Sequence, residues 1–110
     1  MDSLNVGVCQ VHVFLRHARS FKDKQQIFRS LKQKLRNQGF SVTELACENK
    51  KFGTLGFVYA GKDYATVENT LKEGLKLFLG LEVTSDQEVF DYAYERNEEP
   101  VESERFPDGE

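Results

Sequence analysis

Apolar and polar residues alternate from Asn5 to Leu15, with Cys9, Val11, Val13 and Leu15 on one side and Val8, Gln10, His12 and Phe14 on the other. A period of two predicts a strand, and the first set is the cleaner core-facing side. From Phe21 to about Asn37 the period lengthens. Phe21, Ile27, Phe28, Leu31 and Leu35 fall on one face of a helix, with Ser20 and Asp23 placed to cap its start and Gly39 to end it.

Phe40 to Cys47 reads as a second strand, rich in β-branched and apolar residues, and TLGFVYA (Thr54 to Ala60) as a third. The polar, glycine-containing ENKKFG between them predicts an antiparallel hairpin with a loose connection. Asp63 is a natural N-cap for a second helix, in which Val67, Leu71, Leu75 and Phe78 recur at helical spacing until Gly80. QEVFDYAY (Gln87 to Tyr94) alternates again as a last strand. The order strand, helix, strand, strand, helix, strand predicts an α+β chain of the ferredoxin-like split βαβ kind: a four-stranded antiparallel sheet with two helices on one face. The first and third strands are then central, and one sheet face is left uncovered by helices.

That domain takes residues 1–95. The remaining stretch, 96–110, has two prolines, is rich in acids and holds too few apolar residues to pack, so it reads as a mobile acidic tail. At 110 residues the chain is long enough for one core and too short for two. No apolar run approaches the roughly 20 residues of a membrane helix, and MDSLNVGV lacks the regions of a signal peptide, so a cytoplasmic protein without membrane contact is expected. Cys9 and Cys47 lie in predicted strands without CxxC spacing and read as buried free thiols.

The net charge of −3 conceals an asymmetry. Between Arg16 and Arg36 stand eight bases (Arg16, Arg19, Lys22, Lys24, Arg29, Lys32, Lys34, Arg36) and one acid, Asp23. From Glu82 onward there are eleven acids and two bases, Arg96 and Arg105. Local fields depend on where charges sit, so the acidic total does not exclude an anionic partner.

At about 100° per residue, Lys22, Arg29, Lys32 and Arg36 fall within roughly 80° of one another, beside the apolar face and over about 21 Å of helix. Such a stripe suits a phosphate backbone, since each neutralised phosphate releases condensed counterion; a plain solvated helix face has the same pattern. Lys24 falls near the middle of the apolar face, where either its stem runs along the core edge or its amine meets a specific partner. A second candidate is the uncovered sheet face. If His12, Phe14, Phe57 and Tyr59 share it, they form an aromatic platform of the kind on which single-stranded bases stack; the other readings are that these rings are core or pack against a dimer partner.

Catalytic and cofactor signals are missing. His12 and His17 are five apart across a strand end, with no Cys or carboxylate completing a metal-ligand spacing. No phosphate-cradling glycine loop, nucleophile elbow or paired-carboxylate motif occurs. No metal, no cofactor and no enzymatic reaction are expected.

The stretch VGVCQVHVFLRHARSFKDKQQIFRSLKQKLRNQGFSVTE resembles the start of the bacterial YlxP-like family, small domains of unknown function. The match is carried by the opening VGV strand, by Ser20, Phe21, Lys22, Asp23 and Lys24 at the helix start, by Arg29, Ser30, Leu31 and Lys32 in its body, and by Thr54, Leu55 and Gly56 at the third strand. Gln25 departs from the family's usual Arg, and Arg16 and His17 replace its proline-glycine turn. The resemblance implies a ferredoxin-like fold in a bacterial cytosolic protein. It also implies a connection to RNA or the ribosome, because in many bacteria the family's genes lie among those for transcription termination, translation initiation and ribosome maturation.

The expectation is a non-enzymatic protein that binds structured RNA or a ribosomal subunit through Lys22, Arg29, Lys32 and Arg36, with Arg16, Arg19 and Lys24 at the helix start. The alternative is a protein-interaction or homodimerisation module that uses the uncovered sheet face, with Phe14 and Phe57 in contact. The acidic tail is expected to be able to fold back on the basic stripe and compete with nucleic acid.

Overall fold

Strand β1 (Asn5–Phe14) pairs antiparallel along its whole length with two neighbours, β3 (Phe52–Gly61) on one side and β4 (Glu82–Asp91) on the other. The short β2 (Ser41–Leu45) adds to the outer edge of β3, giving the order β2-β3-β1-β4. The computed structural model describes residues 3–45 and 49–97. Helix α1 (Phe21–Asn37) joins β1 to β2, and α2 (Tyr64–Leu75), continued by one 3₁₀ turn at Lys76–Phe78, joins β3 to β4. A short helix, α3 (Tyr92–Asn97), follows β4. This is the ferredoxin-like α+β arrangement predicted from the element order.

Both helices lie on one face, as two close approaches show. A Cβ on Gly53 of β3 would sit 2.3 Å from Phe28 Cε2 of α1, and one on Gly7 of β1 would sit 2.6 Å from Val67 of α2. Both glycines share the parity of Cys9, Val11 and Val13, the face that period-two alternation assigned to the core. There Cys9, Val11, Val13, Leu55 and Phe57 pack against Phe28, Leu31 and Leu35 of α1 and Leu71 of α2. Phe40 and Phe78 close the layer, with the Phe57 ring 4.8 Å from Phe40 and 6.2 Å from Phe78.

The termini of α1 follow from local chemistry. Ser20 is extended and its Oγ accepts from Asp23 N, which satisfies one orphan amide of the first turn, while Asp23 Oδ2 accepts from Arg19 N just before the cap. At the other end Gly39 takes φ +96°, which lets Gly39 N donate to Arg36 O and Phe40 N to Leu35 O. That pair of bonds is a Schellman cap, and it turns Phe40 into the core.

The last strand departs from expectation. It runs over Glu82–Asp91 rather than 87–94. The polar Thr84, Ser85 and Asp86 lie outside the expected strand, yet as an edge strand β4 exposes their side chains while their backbone pairs with β1. Its end is set by Asp91, whose Oδ1 accepts from Ala93 N and Tyr94 N and so starts α3. The expected boundary after Glu95 therefore falls inside α3. The tail from residue 98 and Cys47 lie outside the described residues; Cys9 is a buried free thiol.

Candidate functional site

The apolar stripe of α1 turns Phe28, Leu31 and Leu35 into the core, while Ile27 is half-buried and Phe21, expected on the same face, is left 49% exposed at the helix start. With Phe28, Leu31 and Leu35 buried against the sheet, Lys22, Arg29 and Arg36 are left exposed on the outer side. They recur every seven residues, about 10.5 Å apart along the axis. None of the three has an ion-pair partner among the described residues. Gln25 and Gln33 lie between them along the axis and flank the line on either side in helical phase, adding neutral donors to the same strip, and no acid follows Asp23 in the helix.

The fourth base differs. Lys32 lies at the margin facing β2, where its Nζ is 2.9 Å from Glu44 Oε1 and both side chains are mostly shielded. Its charge is partly spent on that ion pair.

Two of the bases at the helix start are engaged elsewhere. Arg16 donates two hydrogen bonds to the Glu82 carboxylate, at 2.8 and 3.1 Å, and its guanidinium lies 5.2 Å from the Phe14 ring centroid. Lys24 is 4% exposed. Its Nζ donates to the carbonyls of Asn49 and Phe52 and stands 5.6 and 5.9 Å from the centroids of Phe21 and Phe28. Of the two sequence readings of Lys24, the specific partner is the one observed, but that partner is the chain's own backbone; Lys24 is a structural residue and not part of an exposed surface. Arg19 is exposed beside the α1 N-terminus.

The open sheet face is composed differently from expectation. His12 and Phe14 lie on it, whereas Phe57 and Tyr59 lie on the opposite, helix-covered side. The register explains this: Phe57 is directly across from Cys9 and Tyr59 from Gly7, so both take the core parity. Phe57 is 0% exposed and the Tyr59 ring packs edge-on to Phe40. The aromatic partner of Phe14 is Phe52, at 4.7 Å between centroids. Phe52 was missed because the third strand was read from Thr54; extending the alternation one step back puts it on the parity of Thr54, and only the pairing of β3 with β1 places it beside Phe14. Between these rings and the far end of the face runs a polar chain, in which Gln10 Nε2 is 3.3 Å from His12 Nε2 and His12 Nδ1 is 2.9 Å from Thr54 Oγ1.

An open cleft of about 490 Å³ lies between the end of β1, the start of α1 and the start of β4, with Phe14, His17, Ile27 and Leu81 in its walls and the Arg16–Glu82 pair at its edge. Among the described residues no group of three His, Cys, Asp or Glu side chains could hold a metal ion. Among the described residues two groups have shifted proton affinity. Burial, helped by the charge of Asp86, pushes the Cys9 thiol up to about 11, and the bonds from Thr66 hold the Asp63 carboxyl below its ordinary value at the N-cap of α2. Both shifts follow from structure rather than from a reactive site.

Fold and surface together define a small ferredoxin-like domain with one basic helix face and one open sheet face. The chain matches, over residues 6–92, the family described as protein of unknown function DUF503, and it belongs to that family. No curated protein matches it significantly. Solved structures similar to it include a dimeric ferredoxin-like protein from an uncultured marine organism (12% identity, TM-score 0.46, 79% of this chain and 95% of that one). Others are SnoaB, a cofactor-independent oxygenase from Streptomyces nogalater (15%, 0.46, 78% and 90%), and the de novo designed protein Foldit4 (12%, 0.46, 77% and 96%). At such identities the likeness concerns the fold alone. No helix among the described residues is long and apolar enough to cross a membrane.

Proposed function

We propose that this domain is a non-enzymatic, cytoplasmic RNA-binding protein of bacteria that contacts structured RNA or a ribosomal subunit through the outer face of α1. The observation that carries this reading is the line of three exposed bases, Lys22, Arg29 and Arg36, without an ion-pair partner among the described residues, on a helix whose single acid is consumed in its cap. Arg19 extends the line at the N-terminal end, and Lys32 joins it when Glu44 releases its amine. The resemblance to YlxP-like proteins, and the gene neighbourhood that goes with it, points to the same class of partner. The open sheet face offers no comparable site for phosphates, because the only described aromatic pair on it, Phe14 and Phe52, lies beside Glu82, and Asp86 and Glu88 continue the acidic edge along β4.

Three phosphate contacts give a salt dependence of log affinity against log salt of about −2 to −3. Fluorescence anisotropy with ribosomal RNA fragments measures it. Binding at low salt that the charge reversals Lys22→Glu, Arg29→Glu and Arg36→Glu abolish, with the fold intact by circular dichroism, is the expected result. No binding at low salt, or binding indifferent to the reversals, overturns the proposal.

A further inference from the structure

The open face of the sheet has the composition of an interface. At one end Val8 and Val58 are each 38% exposed and Phe90 is 37% exposed; at the other Phe52 is 47% and Leu45 42% exposed, with Phe14 beside them. Among the described residues nothing covers these groups. Scattered apolar side chains are normal on a surface, but six on one side of one sheet form a patch of the kind that marks association.

We infer that a second copy of this chain covers this face, related by a two-fold axis running parallel to the strands. Area and charge both lead there. Three ten-residue strands and one five-residue strand, spaced about 4.8 Å apart and rising about 3.3 Å per residue, give a flat footprint of about 550 Å² before side-chain relief is counted. That is near the low end of the roughly 600–1,000 Å² per partner of a specific interface, which fits a reversible dimer.

Charge selects both the occupant and the orientation. The described charges on the face are the carboxylates of Glu82, Asp86 and Glu88 on β4 and the Arg16 guanidinium already paired with Glu82. A nucleic acid or the acidic segment 98–110 would meet like charge there. An axis across the strands would lay β4 on β4 and set Asp86 against its own copy. An axis along the strands lays β4 over the partner's β2 and β1 over the partner's β3.

The register makes that stacking complementary rung by rung. Val8 is aligned with Val58 and Phe14 with Phe52, so stacking β1 on β3 brings apolar onto apolar at both ends. On the rung of Val8, Glu88 of β4 matches Ser41 of β2; on the rung of Gln10, Asp86 matches Thr43. Carboxylates are thereby set opposite hydroxyl donors of the other copy. The two helix layers, and with them the two basic stripes, then lie on the outside and face away from each other.

Sedimentation velocity on the full chain, from micromolar to millimolar concentration, tests this independently of any RNA. A concentration-dependent dimer is expected that Val58→Glu dissociates and Arg29→Glu leaves unchanged. Because Val58→Glu sits on a central strand, Thr43→Asp on the exposed edge strand serves as the second variant: it sets acid against Asp86 of the other copy and weakens the dimer at least tenfold, whereas Thr43→Lys tightens it several-fold. A monomer at every concentration, a dimer indifferent to Val58→Glu and Thr43→Asp, or a dimer that forms only after residues 98–110 are removed overturns the inference.

Discussion

Lys24 Nζ lies 2.8 Å from the carbonyl oxygen of Phe52 and 3.0 Å from that of Asn49, which ties the first turn of α1 to the connection entering β3. A reciprocal tie runs the other way: Lys51 Nζ donates to the carbonyls of Arg16 and Ala18, and Leu15 N donates to Lys51 O. The turn between β1 and α1 and the hairpin connection are thus held by two lysines acting as backbone donors in opposite directions. Lys24→Met keeps the apolar stem and leaves two carbonyls without their donor, so urea denaturation should show a loss of about 1–3 kcal/mol. RNA affinity of the folded variant should not change. An unaltered midpoint combined with weakened RNA binding would return Lys24 to the binding surface.

The contact between Gly53 and Phe28 gives a packing prediction. A methyl at Gly53 would overlap two carbons of the Phe28 ring, at 2.3 and 2.5 Å. Gly53→Ala should therefore destabilise by about 1–3 kcal/mol through overpacking. Pairing it with Phe28→Leu, which vacates the space, should recover part of the loss, so the two changes are non-additive in a double-mutant cycle. Strict additivity would show that the ring does not rest on the glycine.

These two residues also show what the sequence could and could not tell. Periodicity identified the core faces of β1 and α1, since Cys9, Val11, Val13, Phe28, Leu31 and Leu35 are buried as their spacing requires. It could not fix how β3 registers against β1, because TLGFVYA is apolar on both parities; only the pairing of Cys9 with Phe57 assigns that ring to the core. Helical phase likewise located the basic stripe but not its occupancy. That Glu44, twelve residues beyond Lys32, would reach its amine depends on β2 returning beside α1, a tertiary fact. The polar start of β4 was unreadable for a related reason, since an edge strand needs partners for its backbone and none for its side chains.

Cys9 yields a pH dependence. Its thiol is pushed from 9.0 to about 11 in the folded chain, first by burial and then by Asp86. The folded state therefore holds the proton where the unfolded state releases it, and stability falls as pH rises from about 9 towards 11. The contribution is on the order of 2 kcal/mol. The comparison that isolates the thiol is with Cys9→Ala, whose stability should fall less steeply over that window. Equal slopes for both proteins would show that the thiol ionises as freely folded as unfolded.

The ion pair between Lys32 and Glu44 separates a binding stripe from an ordinary solvated helix face. Its N–O distance is 2.9 Å and the pair is partly shielded, so removing the carboxylate should cost stability of no more than about 1 kcal/mol. Glu44→Gln keeps the shape and frees the Lys32 amine on the margin of α1 that Lys22, Arg29 and Arg36 define. If the stripe contacts phosphates, a fourth contact becomes available, and the salt slope for RNA should steepen by about 0.7–0.9 while affinity at low salt rises. A general rise in affinity with no change in slope would mean that Lys32 acts only through its field and touches no phosphate. Anisotropy titrations at four or more salt concentrations, run on the wild type, Glu44→Gln and the double variant Lys32→Gln with Glu44→Gln, distinguish these outcomes, because the double variant must return the slope to its original value if the new contact is made by Lys32 itself.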